Sequence, residues 1–71
     1  MNLEDIKENI YREDRAMAAV YAETPIEYVD MILSGRRNRD SKKGKKIMEK
    51  LEQLAKVNIA SKAQKAKLIA A

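Results

Sequence analysis

The apolar residues of this chain recur three or four positions apart, and strict alternation is absent. That pattern predicts helices and no strand. Leu3, Ile6 and Ile10 mark the buried face of a first helix, with Tyr11 at its edge. Asn2 fits the N-cap, and Glu4 and Asp5 fall in the first turn, where the positive end of the helix dipole favours acids. This helix is expected to end near Arg12 to Asp14. A second, short helix covers about Arg15 to Ala22 and is rich in small residues, with Ala16, Ala18, Ala19 and Ala22. Small side chains let a neighbouring helix backbone approach closely.

Thr24-Pro25-Ile26-Glu27 is the sharpest local signal. Thr24 fits an N-cap, Pro25 the first helical position, and Glu27 the third, which together read as a capping box. A third helix is therefore expected to start at Pro25, with Val29, Ile32 and Leu33 facing inward. Ser34-Gly35 ends it, Gly35 being free to take a left-handed conformation. Arg36 to Asp40 reads as a basic loop. Asp40 or Ser41 caps a fourth helix carrying Ile47, Met48, Leu51, Leu54 and Ala55 at helical spacing, with Gly44 a slight weakness in its first turns. The stretch from Asn58 to Ala71 is rich in Ala and Lys, and includes Ile59, Leu68 and Ile69. It has three open outcomes: extension of the fourth helix, a separate fifth helix, or a frayed end.

The expected fold is all-α, with four to five short helices in one domain over residues 1–57 and a helical tail over 58–71. A chain of 71 residues buries only about 60% of the surface its unfolded form exposes, so the core is small. There is no cysteine and no histidine. Disulfides, thiolate metal sites, thiol nucleophiles and imidazole chemistry are thereby excluded. Adjacent carboxylates such as Glu4–Asp5 and Glu13–Asp14 diverge along a helix, and no base–nucleophile arrangement is visible. The expectation is a protein without catalytic residues, metal, cofactor or small-molecule substrate. No apolar run approaches the ~20 residues of a membrane span, and no secretory signal is read at the start, so the expected compartment is the cytoplasm.

Charge is distributed unevenly. Residues 1–30 hold three basic residues (Lys7, Arg12, Arg15) against eight acidic ones, a net of −5, whereas residues 31–71 hold twelve against three, a net of +9. The densest part runs from Arg36 to Lys46, with seven basic residues and one acid. Such polarity points to a polyanionic partner for one face.

Two short helices joined by about three residues, the second following a sharp start signal, form the pattern of a helix-turn-helix. Here the unit spans Arg15 to Ser34. Ala19 stands where the helices cross, and Ala22, Val29 and Ile32 line the inner side. Packing at a steep angle would let the second helix project into a major groove about 12 Å wide.

The run AAVYAETPIEYVDMILSGRRNRDSKKGKKIMEKLEQL resembles the λ-repressor-like, or Cro/C1-type, family of phage and mobile-element regulators. The lactose-repressor headpiece has similar spacing, but it begins directly with the first motif helix. The resemblance covers about residues 3–57. It departs from the family at the turn, where Glu23 replaces the usual glycine and Thr24 an apolar residue. It implies a DNA-binding transcriptional regulator that grips double-stranded DNA as a homodimer, on half-sites about one helical turn apart. Its recognition helix would be residues 25–34. The outward positions, and so the candidate base contacts, are Ile26, Glu27, Asp30 and Met31. Carboxylates there can accept from cytosine amino groups, and apolar groups can touch thymine methyls. Candidate phosphate contacts are Thr24, Tyr28, Arg36, Arg37, Arg39, Ser41, Lys42, Lys43, Lys45 and Lys46. The tail is a candidate dimer contact or DNA-backbone arm. Two other readings stay open: a protein–protein or phage structural module on the same fold, and a sequence-independent DNA-coating protein.

Overall fold

A computed structural model describes residues 1–70, with side chains described as far as Leu68. The Ile69 side chain and Ala71, both assigned to the tail, lie outside that description. Among the described residues the chain is all-helical, in the order α1 (Leu3–Glu8), α2 (Arg12–Ala22), α3 (Ile26–Leu33) and α4 (Lys42–Ala70). Three helices are short and the fourth, at 29 residues, is not.

The first helix begins as expected, with the Asp5 backbone N–H donating to Asn2 Oδ1 at 2.8 Å. It ends sooner than expected. Asn9 closes it, donating its backbone N–H to the Ile6 carbonyl at 3.1 Å and its side-chain amide to the Asp5 carbonyl at 2.7 Å. The next helix therefore starts at Arg12 instead of Arg15. The cause is Asp14, whose Oδ2 accepts from the Tyr11 backbone N–H at 2.9 Å and so satisfies a donor that the helix start would leave open. Asp14 is only 7% exposed. A buried carboxylate needs partners, and the side-chain amide of Asn58 supplies another at 2.8 Å while also donating to the Asn9 carbonyl at 2.8 Å. The corner between α1 and α2 is thus pinned to α4.

The turn between α2 and α3 departs from the expected capping box. Glu23 lies in the left-handed region (φ 57°, ψ 47°). Its N–H donates to the Val20 carbonyl at 3.1 Å, and the Thr24 N–H to the Ala19 carbonyl at 2.9 Å, which is the Schellman closure of α2. Thr24 is held in that closure. Its hydroxyl oxygen is buried without a hydrogen-bond partner, so it does not cap α3. Pro25 becomes the N-cap, with an extended backbone and no side-chain bond, and α3 begins at Ile26.

The end of α3 behaves as expected. Gly35 takes φ +84°, and the Arg36 N–H reaches the Met31 carbonyl at 2.9 Å. Ser41 then caps α4, its Oγ accepting from the Gly44 N–H at 3.1 Å.

The core consists of Ile6, Ala18, Ala19, Ala22, Val29, Ile32, Leu33, Ile47, Leu51 and Ala55. The three alanines of α2 leave room for α3 and α4 to close on it. Ile47, Leu51 and Ala55 form one fully buried stripe of α4, two turns long and spaced by four. Met48 and Leu54, also expected inside, are half-buried. Of the three outcomes open for the tail, the first is found, since α4 runs unbroken to Ala70. At 1.5 Å per residue such a helix is roughly 43 Å long, close to the longest molecular extent of 44 Å. From Ile59 to Leu68 its side chains are exposed, and Lys62 reaches back to Asn9 Oδ1 at 3.3 Å.

Candidate nucleic-acid interface

The Schellman closure at Glu23 turns the chain so that α3 packs across α2, burying Val29, Ile32 and Leu33. One side of α3 is left free. Glu27, Asp30, Met31 and Ser34 share it with Arg36 from the following loop, around an open concave surface. Glu27 and Asp30 are exposed and Met31 is half-buried.

Ile26, expected among the outward residues, departs from that group. It is half-buried and packs against the core, because it opens the helix on the side that faces Leu33 one turn pair later. Asp30 does not stand alone either. Arg15 of α2 donates from Nη1 to its Oδ1 at 3.1 Å. One of the two carboxylates facing outward is therefore paired with a cation.

The basic segment after α3 has a defined path. The Asp40 N–H donates to Asn38 Oδ1 at 2.9 Å, and Ser41 Oγ donates to the Asn38 carbonyl at 2.9 Å. The loop lies hard against α4. A Cβ placed on Gly44 would fall 2.6 Å from the Asn38 carbonyl oxygen and 2.8 Å from Arg39 Cα. The glycine that looked like a weakness in α4 is what lets the loop dock there. Arg37 sits over the ring of half-buried Tyr28 at 5.4 Å, a cation–π contact that ties the loop to α3.

The loop cations do not form one cluster. Arg36 joins the free side of α3. Arg39 and Lys45 border a different concave surface, with Leu3, Met48 and Glu49. Lys42, Lys43, Lys45 and Lys46 are exposed. Among the described residues none of Arg36, Arg37, Arg39, Lys42, Lys43, Lys45 and Lys46 forms an ion pair. Thr24, expected to meet a phosphate, turns its hydroxyl inward. Ser41 keeps its hydroxyl in the two bonds that shape the loop.

A second group of cations was missed. Lys7, Arg12 and Arg15, the three basic residues of the acidic half, line one cleft together with Ile10, Tyr11, Asp30 and Ser34. This cleft borders α3 on the edge facing the start of α2. The signal available in the sequence was the i, i+3 spacing of Arg12 and Arg15, which puts both on one side of a helix. Lys7 could be placed beside them only once α1 was seen to stop at Glu8. The free side of α3 therefore has Arg15 and its neighbours along the Asp30 edge, Arg37 over Tyr28 on the other, and Arg36 on its concave surface.

Among the described residues no helix is long and apolar enough to cross a membrane, and no three Asp or Glu side chains gather as a metal site. No family model matches the chain, and comparison with curated proteins and with solved structures returns no significant match.

Proposed function

We propose that this chain is a duplex-DNA-binding transcriptional regulator of the λ-repressor-like, Cro/C1-type kind found in phages and mobile elements, acting in the bacterial cytoplasm as a binding module without catalysis. The observation that carries the reading is the α2–turn–α3 unit, in which the free side of α3 lies between two sets of basic residues. A helix entering a major groove has a phosphate strand on either side. Cations on both edges suit that geometry, and phosphate contacts supply affinity while base edges supply selectivity. In this reading α3 lies in the groove, with Glu27, Asp30 and Met31 toward the base edges. Arg36, Arg37, Lys42, Lys43 and Lys46 lie along one strand, and Lys7 and Arg12 along the other. Two copies would bind half-sites about one helical turn apart.

One observation favours a second reading. The free side of α3 carries Glu27, a carboxylate that none of the described ion pairs engages. It repels phosphate and can accept only from a base amino group, cytosine's above all, so sequence-independent coating of DNA through the same cations is the alternative.

The test is binding to random duplex and to DNA from upstream of the protein's own gene, over a salt series. Wild type is compared with the Arg36→Ala/Arg37→Ala double variant. Strongly salt-dependent binding that prefers the upstream DNA and weakens in the variant supports the regulator. Equal binding to both DNAs supports coating. A folded protein that ignores both at low salt removes the DNA reading altogether.

A further inference from the structure

The side chain that reads sequence need not belong to the helix in the groove. Arg36 of the following loop borders the free side of α3 but is held by no described ion pair, and the α3 side chains there, Glu27, Asp30, Met31 and Ser34, supply no guanidinium, ammonium or amide. Arg15 is brought to this surface from α2 and is held there. Its Nη1 lies 3.1 Å from Asp30 Oδ1, with side chains 37% and 50% exposed. Of the three cations in the cleft, only Arg15 bonds to α3. Asp30 borders both the cleft and the free side. The guanidinium is therefore held at the boundary between the two.

We infer that Arg15 is the specificity-determining residue of this interface and that it reads guanine, with Asp30 as its positioning residue. This rests on the DNA-binding reading above. A guanidinium carries five N–H donors in a rigid planar fork. Asp30 accepts one of them and leaves others free. Two parallel donors from one fork match the O6 and N7 acceptors that guanine shows in the major groove. Fixing the fork in advance lowers the entropy lost when it docks. The pairing also changes what Asp30 does. A bare carboxylate directed at a duplex is repelled by phosphates, whereas a carboxylate neutralised by Arg15 is tolerated. The cytosine-reading role expected for Asp30 is thereby replaced by an orienting one.

The experiment is selection of binding sites from a randomised duplex pool by the full chain, followed by salt titration on the selected site and on substituted sites. Wild type, Arg15→Gln, Arg15→Lys and Asp30→Asn are compared, each checked for folding by circular dichroism. Wild type is expected to select a guanine at one position per half-site and to discriminate against other bases there by about tenfold or more. Arg15→Gln should erase that preference while leaving the salt slope unchanged. Asp30→Asn should bind random duplex more tightly yet discriminate less at that position. Arg15→Lys, which keeps the charge but loses the fork, should fall between. If Arg15→Gln selects the same base as wild type, or lowers the salt slope by about one phosphate's worth with no change of preference, Arg15 is a backbone contact and the inference is overturned while the DNA reading stands. If folded wild type binds no duplex at low salt, that reading fails and the inference falls with it.

Discussion

The side-chain amide of Asn58 donates to the carboxylate of Asp14 at 2.8 Å, joining residues 44 positions apart. The same amide reaches the Asn9 carbonyl at 2.8 Å. One side chain on α4 therefore satisfies both the end of α1 and the residue that starts α2. Removing it leaves a buried carboxylate and a carbonyl each short of a partner. Asn58→Ala should destabilise the domain by roughly 1–3 kcal/mol, the range for an unsatisfied buried group. Urea denaturation followed by circular dichroism measures this. A loss within the error of the fit would mean that water replaces the amide at no cost.

Glu23 occupies a backbone position with φ 57°, where a residue with a Cβ is strained by about 1–2 kcal/mol. Glycine removes that strain but brings greater freedom in the unfolded chain, an opposing effect of about 0.4–1 kcal/mol. The strain is the larger of the two. Glu23→Gly should therefore raise stability by about 1 kcal/mol, which for a domain of this size is roughly 4–8 °C in melting temperature. A fall in melting temperature would show that the Glu23 side chain contributes more than the backbone strain costs.

Much of the fold was legible in the sequence because it is local. Gly35 after Leu33 announces a left-handed helix end, Ser41 an N-cap, and the four-residue spacing of Ile47, Leu51 and Ala55 a buried stripe. What was not legible depends on competition between neighbours. Arg12-Glu13-Asp14 reads as the end of one helix. Asp14 instead starts another, because its carboxylate captures the Tyr11 N–H and a distant Asn58 shelters it. Thr24 reads as a cap for α3, yet the closure of α2 claims it first. The site was half legible for the same reason. The basic run from Arg36 to Lys46 is visible as composition. The meeting of Lys7, Arg12 and Arg15 is a product of packing α1 against the start of α2.

That competition at Thr24 has a measurable consequence. Its hydroxyl oxygen is buried and unpartnered, a state that costs on the order of 1–3 kcal/mol. Valine has the same shape without the hydroxyl. Thr24→Val should therefore be neutral or stabilising by up to about 1 kcal/mol. If Thr24 were the N-cap its sequence position suggests, the same change would destabilise by about 1 kcal/mol. Thermal melts of the two proteins separate these outcomes by sign.

Gly44 gives the opposite sign from helix propensity. Alanine at an interior helix position is favoured over glycine by about 1 kcal/mol. Here its Cβ would meet backbone atoms of Asn38 and Arg39 at 2.6 and 2.8 Å, and backbone cannot rotate away. Overpacking of this kind costs typically 1–3 kcal/mol, so Gly44→Ala should be neutral to destabilising instead of stabilising. It should also displace the loop that carries Arg36 and Arg37 and, under the proposed function, weaken DNA binding. A more stable protein with unchanged binding would show that the loop is not seated against α4.

The two flanks of α3 make a last prediction that separates a helix lying in a groove from a charged surface pressed on DNA. If phosphate strands lie on both sides, each flank contributes its own counterion release, and the contributions add because each cation neutralises its own phosphate. Arg12→Ala in the cleft and Arg36→Ala in the loop after α3 should each lower the slope of log affinity against log salt by about 0.9, and together by about 1.8. Neither side chain is buried, so folding should be unaffected and circular dichroism should confirm it. A slope that changes only with Arg36→Ala would confine the duplex to the loop side. The proposed placement of α3 in the groove would then be wrong, even though the protein binds DNA.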